Sequence, residues 1–297
     1  MMNAEGLEIT LNILYTFTPG SSFEKYYEQV KTRFRPSAHL KWHLENGTVD
    51  QITQIIKGQR PNQKEGHELH PFFSFMVDDM IFFREMKLLD CVSYLHETTK
   101  AYALHLKLSP GIYYSHTNNK IMRLPNFEPV LRPNQPISHL KFLKYRRSET
   151  ELDWNYPFDF CGSIYRAEHI DKVIQKIKPM ETILKPNTFE FQGNQAIKMN
   201  MLAKDYPYCL CLNAPAMTVI TINKVQSTYN TPVYDAPCPL EDLNAFIDSD
   251  TRIDLEHYRL NQFNSVHIGA FVTMQGITTI SIKQEKPKVA VVMPVFN

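Results

Sequence analysis

Two adjacent aspartates, Asp78 and Asp79, interrupt an apolar run and are the side chains best suited to chemistry in this sequence. The run is Pro71–Phe83 (PFFSFMVDDMIFF), and its apolar residues predict a buried strand that ends at the carboxylates. Charges set in such a run are costly to bury unless they are paired or metal-bound. Mg²⁺ and Mn²⁺ prefer oxygen ligands. We therefore predict a divalent-cation site at the carboxyl end of this strand; the plainer alternative is that the pair ends the strand and caps the next element.

Composition narrows the class of protein and its partners. Of 297 residues, 43% are hydrophobic and 21% charged, which is enough for one large or two small globular domains. With 32 basic and 31 acidic residues and no clustered Lys/Arg face, nucleic acid is not an expected partner. The apolar runs are shorter than the roughly 20 residues of a spanning helix, and no signal-peptide pattern begins the chain. We expect reduced cysteines, no transmembrane segment and a cytoplasmic location, with peripheral membrane association left open.

The elements that must position these aspartates alternate between strand-like and helix-like patterns. This alternation favours an α/β fold with a mostly parallel central sheet flanked by helices. No internal repeat or low-complexity linker divides the chain, so we predict one domain up to about residue 284. The predicted strands cover residues 7–17, 71–83, 101–108, 140–146, 208–212, 217–222, 266–274 and 277–283, and the predicted helices cover 23–33, 49–57, 86–98, 168–177 and 240–247.

Several segments together resemble a group of bacterial GT-A glycosyltransferases. The segment around the aspartates is similar to an FLVDD motif of that group, and later segments match other motifs in the same order. The resemblance implies a GT-A-like fold and a hexosyltransferase-like enzyme of cell-surface polysaccharide synthesis. The matching segments are Phe75–Phe82 (FMVDDMIF), Leu104–Gly111 (LHLKLSPG; SLRLG in the group), Trp154–Arg166 (WNYPFDFCGSIYR; W-x-YP…DGHIYR), Lys185–Gly193 (KPNTFEFQG; NPN-x-LEG), Asn223–Asn230 (NKVQSTYN; N-x-VQ), Leu240–Asp254 (ELN…ID) and Asn264–His267 (NSVH; NSAH).

The resemblance also implies a donor and a metal. A nucleotide-sugar donor leaves a diphosphate, whose extra negative charge Mn²⁺ or Mg²⁺ neutralises. Met80 stands where the group often has a third acidic residue, so one ligand must come from elsewhere, and His267 is our candidate. A hydrogen-bonded structural role for His267 stays open.

Further residues are expected to line the donor and acceptor sites. Lys107 stands where the group has Arg and is expected to balance diphosphate charge; Ser109 and Tyr113 come later on the same segment, and Tyr113 is suited to stacking on a sugar or base. Lys107 as a solvated strand residue and Tyr113 as cover for the core edge are the alternatives.

Inverting sugar transfer needs a carboxylate that accepts the acceptor's hydroxyl proton. Asp159 and Glu190 are the candidates. Asp159 lies two positions from the place of the Asp in DGHIYR and is alternatively a turn residue. Glu190 comes after Pro186, Asn187 and Thr188, a pattern typical of a helix start, and alternatively only complements the helix dipole.

The last residues, Pro287–Asn297 (PKVAVVMPVFN), resemble the opening strand of a family-2-like glycosyltransferase. We therefore expect residues 285–297 to be a linker and the first strand of a following transferase domain in the same polypeptide, or alternatively a permuted first strand of the domain at 1–284.

Two functions stay open. One is metal-dependent transfer of a sugar to a glycan or lipid-linked acceptor, and the other is a degenerate, non-catalytic module that binds glycans or acts as a scaffold.

Overall fold

The strand at residues 101–105 lies at the centre of the fold in the computed structural model of the chain. All five of its residues are buried, because a strand covered on both faces needs a continuous apolar sequence. The structure describes residues 2–3, 9–34, 40–58, 72–131, 141–177, 186–199, 202–220, 252–268, 279–281 and 290–292. The predicted helix at 240–247 and the segment Asn223–Asn230 lie outside these residues.

The strands of the described residues are β1 (Met2–Asn3), β2 (Leu11–Tyr15), β3 (Leu40–Leu44), β4 (Phe72–Ser74), β5 (Met80–Phe82), β6 (Met86–Lys87), β7 (Ala101–His105), β8 (Tyr114–Ser115), β9 (Lys120–Ile121), β10 (Phe127–Pro129), β11 (Phe142–Arg146), β12 (Ser163–Arg166), β13 (Tyr208–Leu212), β14 (Met217–Ile220), β15 (His267–Ile268), β16 (Thr279–Ser281) and β17 (Ala290–Val292). The helices are α1 (Ser22–Phe34), α2 (Thr48–Gly58), α3 (Leu88–Glu97), α4 (Ala167–Ile177), α5 (Pro186–Met199), α6 (Leu202–Asp205) and α7 (Leu255–Leu260), with 3₁₀ turns at Arg147–Glu149 and Leu152–Asn155.

The central sheet has six strands in the order β10-β11-β13-β7-β12-β4. A second sheet has three strands in the order β15-β14-β5, and β2 pairs in parallel with β3. Helix α4 covers the core with apolar residues at spacings of three and four, and Ile170, Val173, Ile174 and Ile177 are all buried. The predicted helix at 168–177 and the predicted strand at 208–212 are therefore confirmed.

The expected mostly parallel sheet is wrong for these six strands. In this sheet only β13 and β7 pair in parallel, and the other four described pairings are antiparallel. Strand β12 lies between β4 and β7 and runs opposite to both. Alternation of strand-like and helix-like segments predicts a mixed α/β fold, but it does not fix strand direction, which depends on where each strand enters the sheet.

The single strand predicted at 71–83 is two strands in the structure. Strand β4 ends at Ser74 in the central sheet, and β5 begins at Met80 in the three-stranded sheet. Asp78 and Asp79 form the turn between them. The chain changes sheet at the position where its apolar run contains two charges.

The end of the chain has one described strand pairing. Ala290–Val292 (β17) pairs antiparallel with Thr279–Ser281 (β16), and the described partner of β2 is β3. The division at about residue 284 stays a prediction. Within the described ranges, no helix combines the length and the apolar character that crossing a membrane requires.

Candidate active site

The turn of Asp78 and Asp79 is anchored to both sheets by backbone hydrogen bonds. The amide of Ile220 in β14 donates to the carbonyl of Asp79 at 2.8 Å, and the amide of Gly162 donates to the carbonyl of Phe75 at 2.9 Å. Asp78 is exposed and Asp79 is half-buried. The Oδ1 atom of Asp79 is buried and has no hydrogen-bond partner. A buried carboxylate oxygen without a donor is suited to accept a ligand, because such atoms are otherwise nearly always satisfied.

The electrostatics of the two aspartates also favour a bound cation. Burial and the negative charge of Asp78 raise the pKa of Asp79 to about 7. Two neighbouring carboxylates disfavour each other's ionisation, and a cation between them removes that cost. Among the described residues, no three His, Cys, Asp or Glu side chains form a metal-binding group. Two carboxylates are still a sufficient protein contribution for Mg²⁺ or Mn²⁺, which commonly takes its remaining ligands from phosphate and water.

A buried charge network lies under the segment that carries Asp159. Asp159 is 1% exposed, and Lys107 Nζ lies 3.3 Å from its Oδ1 atom. His105 Nδ1 donates to Ser163 Oγ at 2.7 Å, and Ser163 Oγ donates to Asp159 Oδ2 at 2.8 Å. Because these groups donate towards Asp159, its carboxylate stays negatively charged. A buried charge without such partners would be strongly destabilising.

The pKa values in this network follow from the pairing. Burial alone would raise the pKa of Asp159, but the charge of Lys107 and the hydrogen bonds with His105 and Ser163 hold it well below its usual range. Burial opposes the charged form of His105, yet its interactions with Asp159 and Cys209 raise its pKa to about 9. Lys107 likewise keeps a raised pKa despite burial, because Asp159 faces it. The network is therefore charged at neutral pH.

Helix α5 brings Glu190 to the same segment. The amide of Phe160 donates to Glu190 Oε1. One turn further along α5, the side chain of Asn194 donates to the carbonyl of Phe158 at 2.6 Å and accepts from its amide at 3.2 Å. Gly193 lets the helix approach this closely, because a Cβ atom there would lie 2.2 Å from the Phe158 ring. The face of α5 that bears Glu190 is thereby fixed against residues 158–160.

The pKa of Glu190 is raised towards neutrality. Burial and the negative charge of Asp159 raise its pKa to about 7, against smaller opposing effects of the Phe160 amide, Lys107 and Tyr156. Catalytic efficiency of a general base is greatest when its pKa lies near the working pH.

Cys161 connects the two carboxylate groups in space. Burial raises the pKa of its thiol, Lys107 lowers it, and the charges of Glu190, Asp159 and Asp79 raise it further. All three carboxylates are therefore near this one side chain. The next residue, Gly162, has φ of +75° and leaves no room for a Cβ atom beside the Met217 sulfur. The segment 160–162 thus contacts the residues before Asp78 through the Gly162–Phe75 hydrogen bond and α5 through the Phe160–Glu190 hydrogen bond.

His267 lies on the far side of β14 from the aspartates. Val219 pairs with both Met80 and His267, so two inter-strand spacings, about 10 Å, separate the backbones of β5 and β15. The buried Nδ1 atom of His267 has no hydrogen-bond partner. Burial and the positive charges of Lys107 and His116 lower its pKa to about 3, so the imidazole is neutral, as metal ligation requires. A metal-ligand role for His267 stays a prediction.

The segment expected to meet the donor is only partly exposed. Lys107 and Ser109 are buried, and the carbonyl of Ser109 accepts the amide of Ile112 in a tight turn. Tyr113 is 45% exposed, and its amide donates to the carbonyl of Asn264 at 2.9 Å. Of these three side chains, Tyr113 is therefore the one that a ligand can reach. The buried ammonium of Lys107 acts on the site through its contact with Asp159.

Sequence reasoning missed His105, Ser163, Gly193 and Asn194. The alternation of His105 and Lys107 was a usable signal, because residues two apart on a strand share a face. Gly193 and Asn194, at three and four residues after Glu190, lie on its face of the helix. Arg166 in the IYR segment has a structural role. Its guanidinium donates to the carbonyls of Leu95 and Thr98 at the end of α3 and of Ala101 at the start of β7.

Comparison with known proteins gives one informative similarity. Residues of this chain are 33% identical over 275 positions to the bifunctional glycosyltransferase pgtA of Dictyostelium discoideum, and the aligned region covers 88% of this chain. The chain spans about a third, 34%, of the length of that curated relative. No protein-family profile and no solved structure matches the chain. The similarity supports a glycosyltransferase domain with a mixed α/β fold.

Proposed function

We propose that this chain transfers a sugar from a nucleotide-sugar donor to a hydroxyl group of an acceptor, with Asp78 and Asp79 holding a divalent cation. The observation that carries the proposal is that the Asp78–Asp79 segment and Glu190 are both tied to residues 160–162: the Gly162 amide donates to the carbonyl of Phe75, and the Phe160 amide donates to Glu190 Oε1. Asp79 has an unpartnered buried oxygen suited to a cation, and Glu190, whose pKa is raised to about 7 by burial and the charge of Asp159, is suited to accept a proton. The similarity to a glycosyltransferase supports glycosyl transfer in general.

The reaction can be divided among the residues of the site. Glu190 accepts the acceptor's hydroxyl proton while the acceptor oxygen bonds to the anomeric carbon and the bond from that carbon to the diphosphate breaks. The amide of Phe160 keeps the Glu190 carboxylate oriented. Tyr113 offers its exposed ring for stacking on a sugar or base. Asp78 and Asp79 would hold the divalent cation, with His267 as the candidate for a further ligand, and the cation would supply positive charge against the charge that develops on the diphosphate.

The finer parts of the proposal concern substrates and setting. We propose a hexose donor, Mn²⁺ or Mg²⁺ as the cation, and a glycan or lipid-linked acceptor of the kind used in cell-surface polysaccharide synthesis. A GT-A type of fold and a cytoplasmic location belong to the same proposal. The relative is named bifunctional, and a second transferase domain in the same polypeptide is part of the proposal too.

A thermal-shift experiment tests the donor and metal site. Uridine, guanosine and adenosine diphosphates are each added with and without Mn²⁺ to the unsubstituted chain and to Asp78→Asn and Asp79→Asn. A ligand bound only by the folded state at 100 times its Kd adds about 2.7 kcal/mol, so one nucleotide with Mn²⁺ should raise the Tm by roughly 5 °C. Both variants should lose the rise, and Asp205→Asn, an exposed aspartate in α6, should keep it. No cation-dependent rise with any nucleotide would contradict the proposal.

A non-catalytic binding module is the second candidate. It is favoured by the finding that, within the described ranges, no three His, Cys, Asp or Glu side chains are already arranged as a metal-binding group. Such a module would bind nucleotide or glycan without turnover. Release of the nucleoside diphosphate from a nucleotide-sugar donor by the unsubstituted chain, lost in Glu190→Gln, would exclude it.

A further inference from the structure

The carboxylate of Asp159 is fully used inside the protein. Its Oδ1 atom accepts the amide of Cys161 at 2.8 Å and faces Lys107, and its Oδ2 atom accepts Ser163 Oγ and lies 3.5 Å from His105 Nδ1. With 1% of the residue exposed, no route leads an acceptor hydroxyl to either oxygen.

The backbone of Asp159 is held equally firmly. Its amide donates to the hydroxyl of Tyr165 at 2.8 Å, and that hydroxyl donates back to its carbonyl at 3.2 Å. The next residue is Phe160, whose amide donates to Glu190. The position and direction of that amide are therefore set by Asp159 on one side and by the Cys161 hydrogen bond on the other.

We propose that Asp159 is a positioning residue for Glu190: its buried, paired carboxylate shapes the segment 159–163 so that the Phe160 amide orients the Glu190 carboxylate. This inference rests on the proposed function, in which Glu190 is the proton acceptor. Asp159 then acts through the backbone and through its charge, and it does not touch the substrate.

The charge of Asp159 also influences the proton affinity of Glu190. The groups that face Glu190 are Asp159, Lys107, Tyr156 and the thiol of Cys161. Burial is the largest cause of the raised pKa of Glu190, and Asp159 is the next; Lys107 and Tyr156 lower it. Removal of the Asp159 charge leaves Lys107 uncompensated, so the pKa of Glu190 falls.

The test is the pH dependence of transfer by the full chain for Asp159→Asn, Glu190→Gln and Ser163→Ala. Saturating divalent cation keeps Asp79 ionised, so that the acid side of the profile reports on Glu190. The unsubstituted chain should lose activity as the pH falls through about 7, and Glu190→Gln should lack this dependence. Asp159→Asn should shift the loss roughly half to one pH unit lower, reduce kcat about 10- to 100-fold, and leave the donor KM within about threefold.

Ser163→Ala is the matched control, since it removes a hydrogen bond to Asp159 but keeps the charge. It should lower kcat only a few-fold and leave the pH of the acid limb where it is in the unsubstituted chain. An unshifted limb in Asp159→Asn would overturn the inference. The inference would also be overturned if Asp159→Asn lost all activity and its acid limb to the same extent as Glu190→Gln, because Asp159 would then be the base itself. Full activity in Glu190→Gln would instead refute the proposed function.

A second variant covers the case in which Asp159→Asn does not fold. Removal of one partner of a buried ion pair leaves an uncompensated charge, whereas removal of both is often tolerated. The double variant Asp159→Asn, Lys107→Met therefore keeps the experiment decisive. Because Asp159 affects Glu190 more than Lys107 does, the limb should again move to lower pH, by less than in the single variant. A limb that stays in place or moves upward would overturn the inference.

Discussion

Asp159 and Glu190 are both carboxylates in the same buried region, yet their pKa values are shifted in opposite directions. Asp159 faces Lys107 and stays charged, whereas Glu190 faces the charge of Asp159 and is near its titration point at neutral pH. Environments that separate two carboxyl pKa values assign different tasks to them. In the proposed reaction, Asp159 is the fixed charge and Glu190 the proton acceptor.

Replacement of the proton acceptor should affect the chemical step. Glu190→Gln keeps the size of the side chain and the contact with the Phe160 amide, but it cannot accept a proton. We expect kcat to fall roughly 10²- to 10⁴-fold, while nucleotide affinity stays within about threefold. The measurement is steady-state transfer together with nucleotide binding by calorimetry. Glu128→Gln, on the exposed edge strand β10, is the control, and an equal loss of kcat in this control would contradict the expectation.

Replacement of Asp79 should have opposite effects on the stability of the ligand-free protein and on its stability with Mn²⁺ and nucleotide bound. Its half-buried carboxylate has an unpartnered oxygen and a like-charged neighbour, so the folded state without a cation is strained by it. Asp79→Asn should therefore have an unfolding free energy equal to or up to about 1 kcal/mol above that of the unsubstituted chain without added metal. Addition of Mn²⁺ and nucleotide should reverse the order. Urea unfolding with and without ligand measures both, and a variant less stable without ligand would oppose this reading.

At the scale of elements, helix α5 and the segment Phe158–Ser163 behave as one unit. Asn194 satisfies both backbone groups of Phe158 much as a neighbouring strand would, and Gly193 permits the close approach. Because Glu190 lies one turn earlier on the same helical face, the packing of this contact sets where the proton acceptor lies.

A methyl group at Gly193 tests this contact. The added Cβ atom would overlap the Phe158 ring, which is fully buried and has no free space. We expect Gly193→Ala to lose about 1–3 kcal/mol of unfolding free energy and to reduce kcat at least tenfold. Gly58→Ala in α2, where nothing lies within 4 Å of the added atom, should be neutral or slightly stabilising. Urea unfolding of both variants measures the difference, and equal stability would show that the helix can shift without loss.

For the whole molecule, buried neutral histidines and buried neutral carboxylates have opposing effects on stability as the pH changes. Burial lowers the pKa of His169 to about 4 and that of His267 to about 3, so protonation from about pH 6.5 downward favours the unfolded chain. The pKa values of Asp79 and Glu190 are raised to about 7, so between that pH and about 4 the folded chain holds the extra proton. A falling pH therefore stabilises the protein through the carboxylates and destabilises it through the histidines.

Variants that remove one contribution should reveal the other. Between pH 6.5 and 4.5, the unfolding free energy of Glu190→Gln should fall relative to that of the unsubstituted chain as the pH falls, and that of His169→Gln should rise. Each relative slope has an upper limit of about 1.4 kcal/mol per pH unit for one group. Asp159 and His105 are present in the unsubstituted chain and in both variants, so their own contributions cancel from each relative slope. Urea unfolding at several pH values measures the slopes, and slopes of the same sign would contradict the assignment.

Local patterns in the sequence define several elements and point to the residues of interest. The periodic apolar residues of α4 and the continuous apolar run of β13 indicate the bounds of these elements to within a residue, because local apolar patterning decides which faces of an element are buried. The pair Asp78 and Asp79 is recognisable from the apolar run around it, whereas Asp159 and Glu190 become candidates only through the resemblance to glycosyltransferase motifs. The metal and substrate roles of these residues stay predictions.

Strand direction and the environment of each site residue depend on contacts between segments far apart in the sequence. The run at 71–83 divides between two sheets, and β12 enters antiparallel between β4 and β7, because pairing partners far along the chain set these features. The charge of Asp159 also depends on distant residues: Lys107 and His105, which hold it, lie more than 50 positions earlier in the sequence. Desolvation and Coulomb interactions depend on distance in space, and a sequence does not contain that distance.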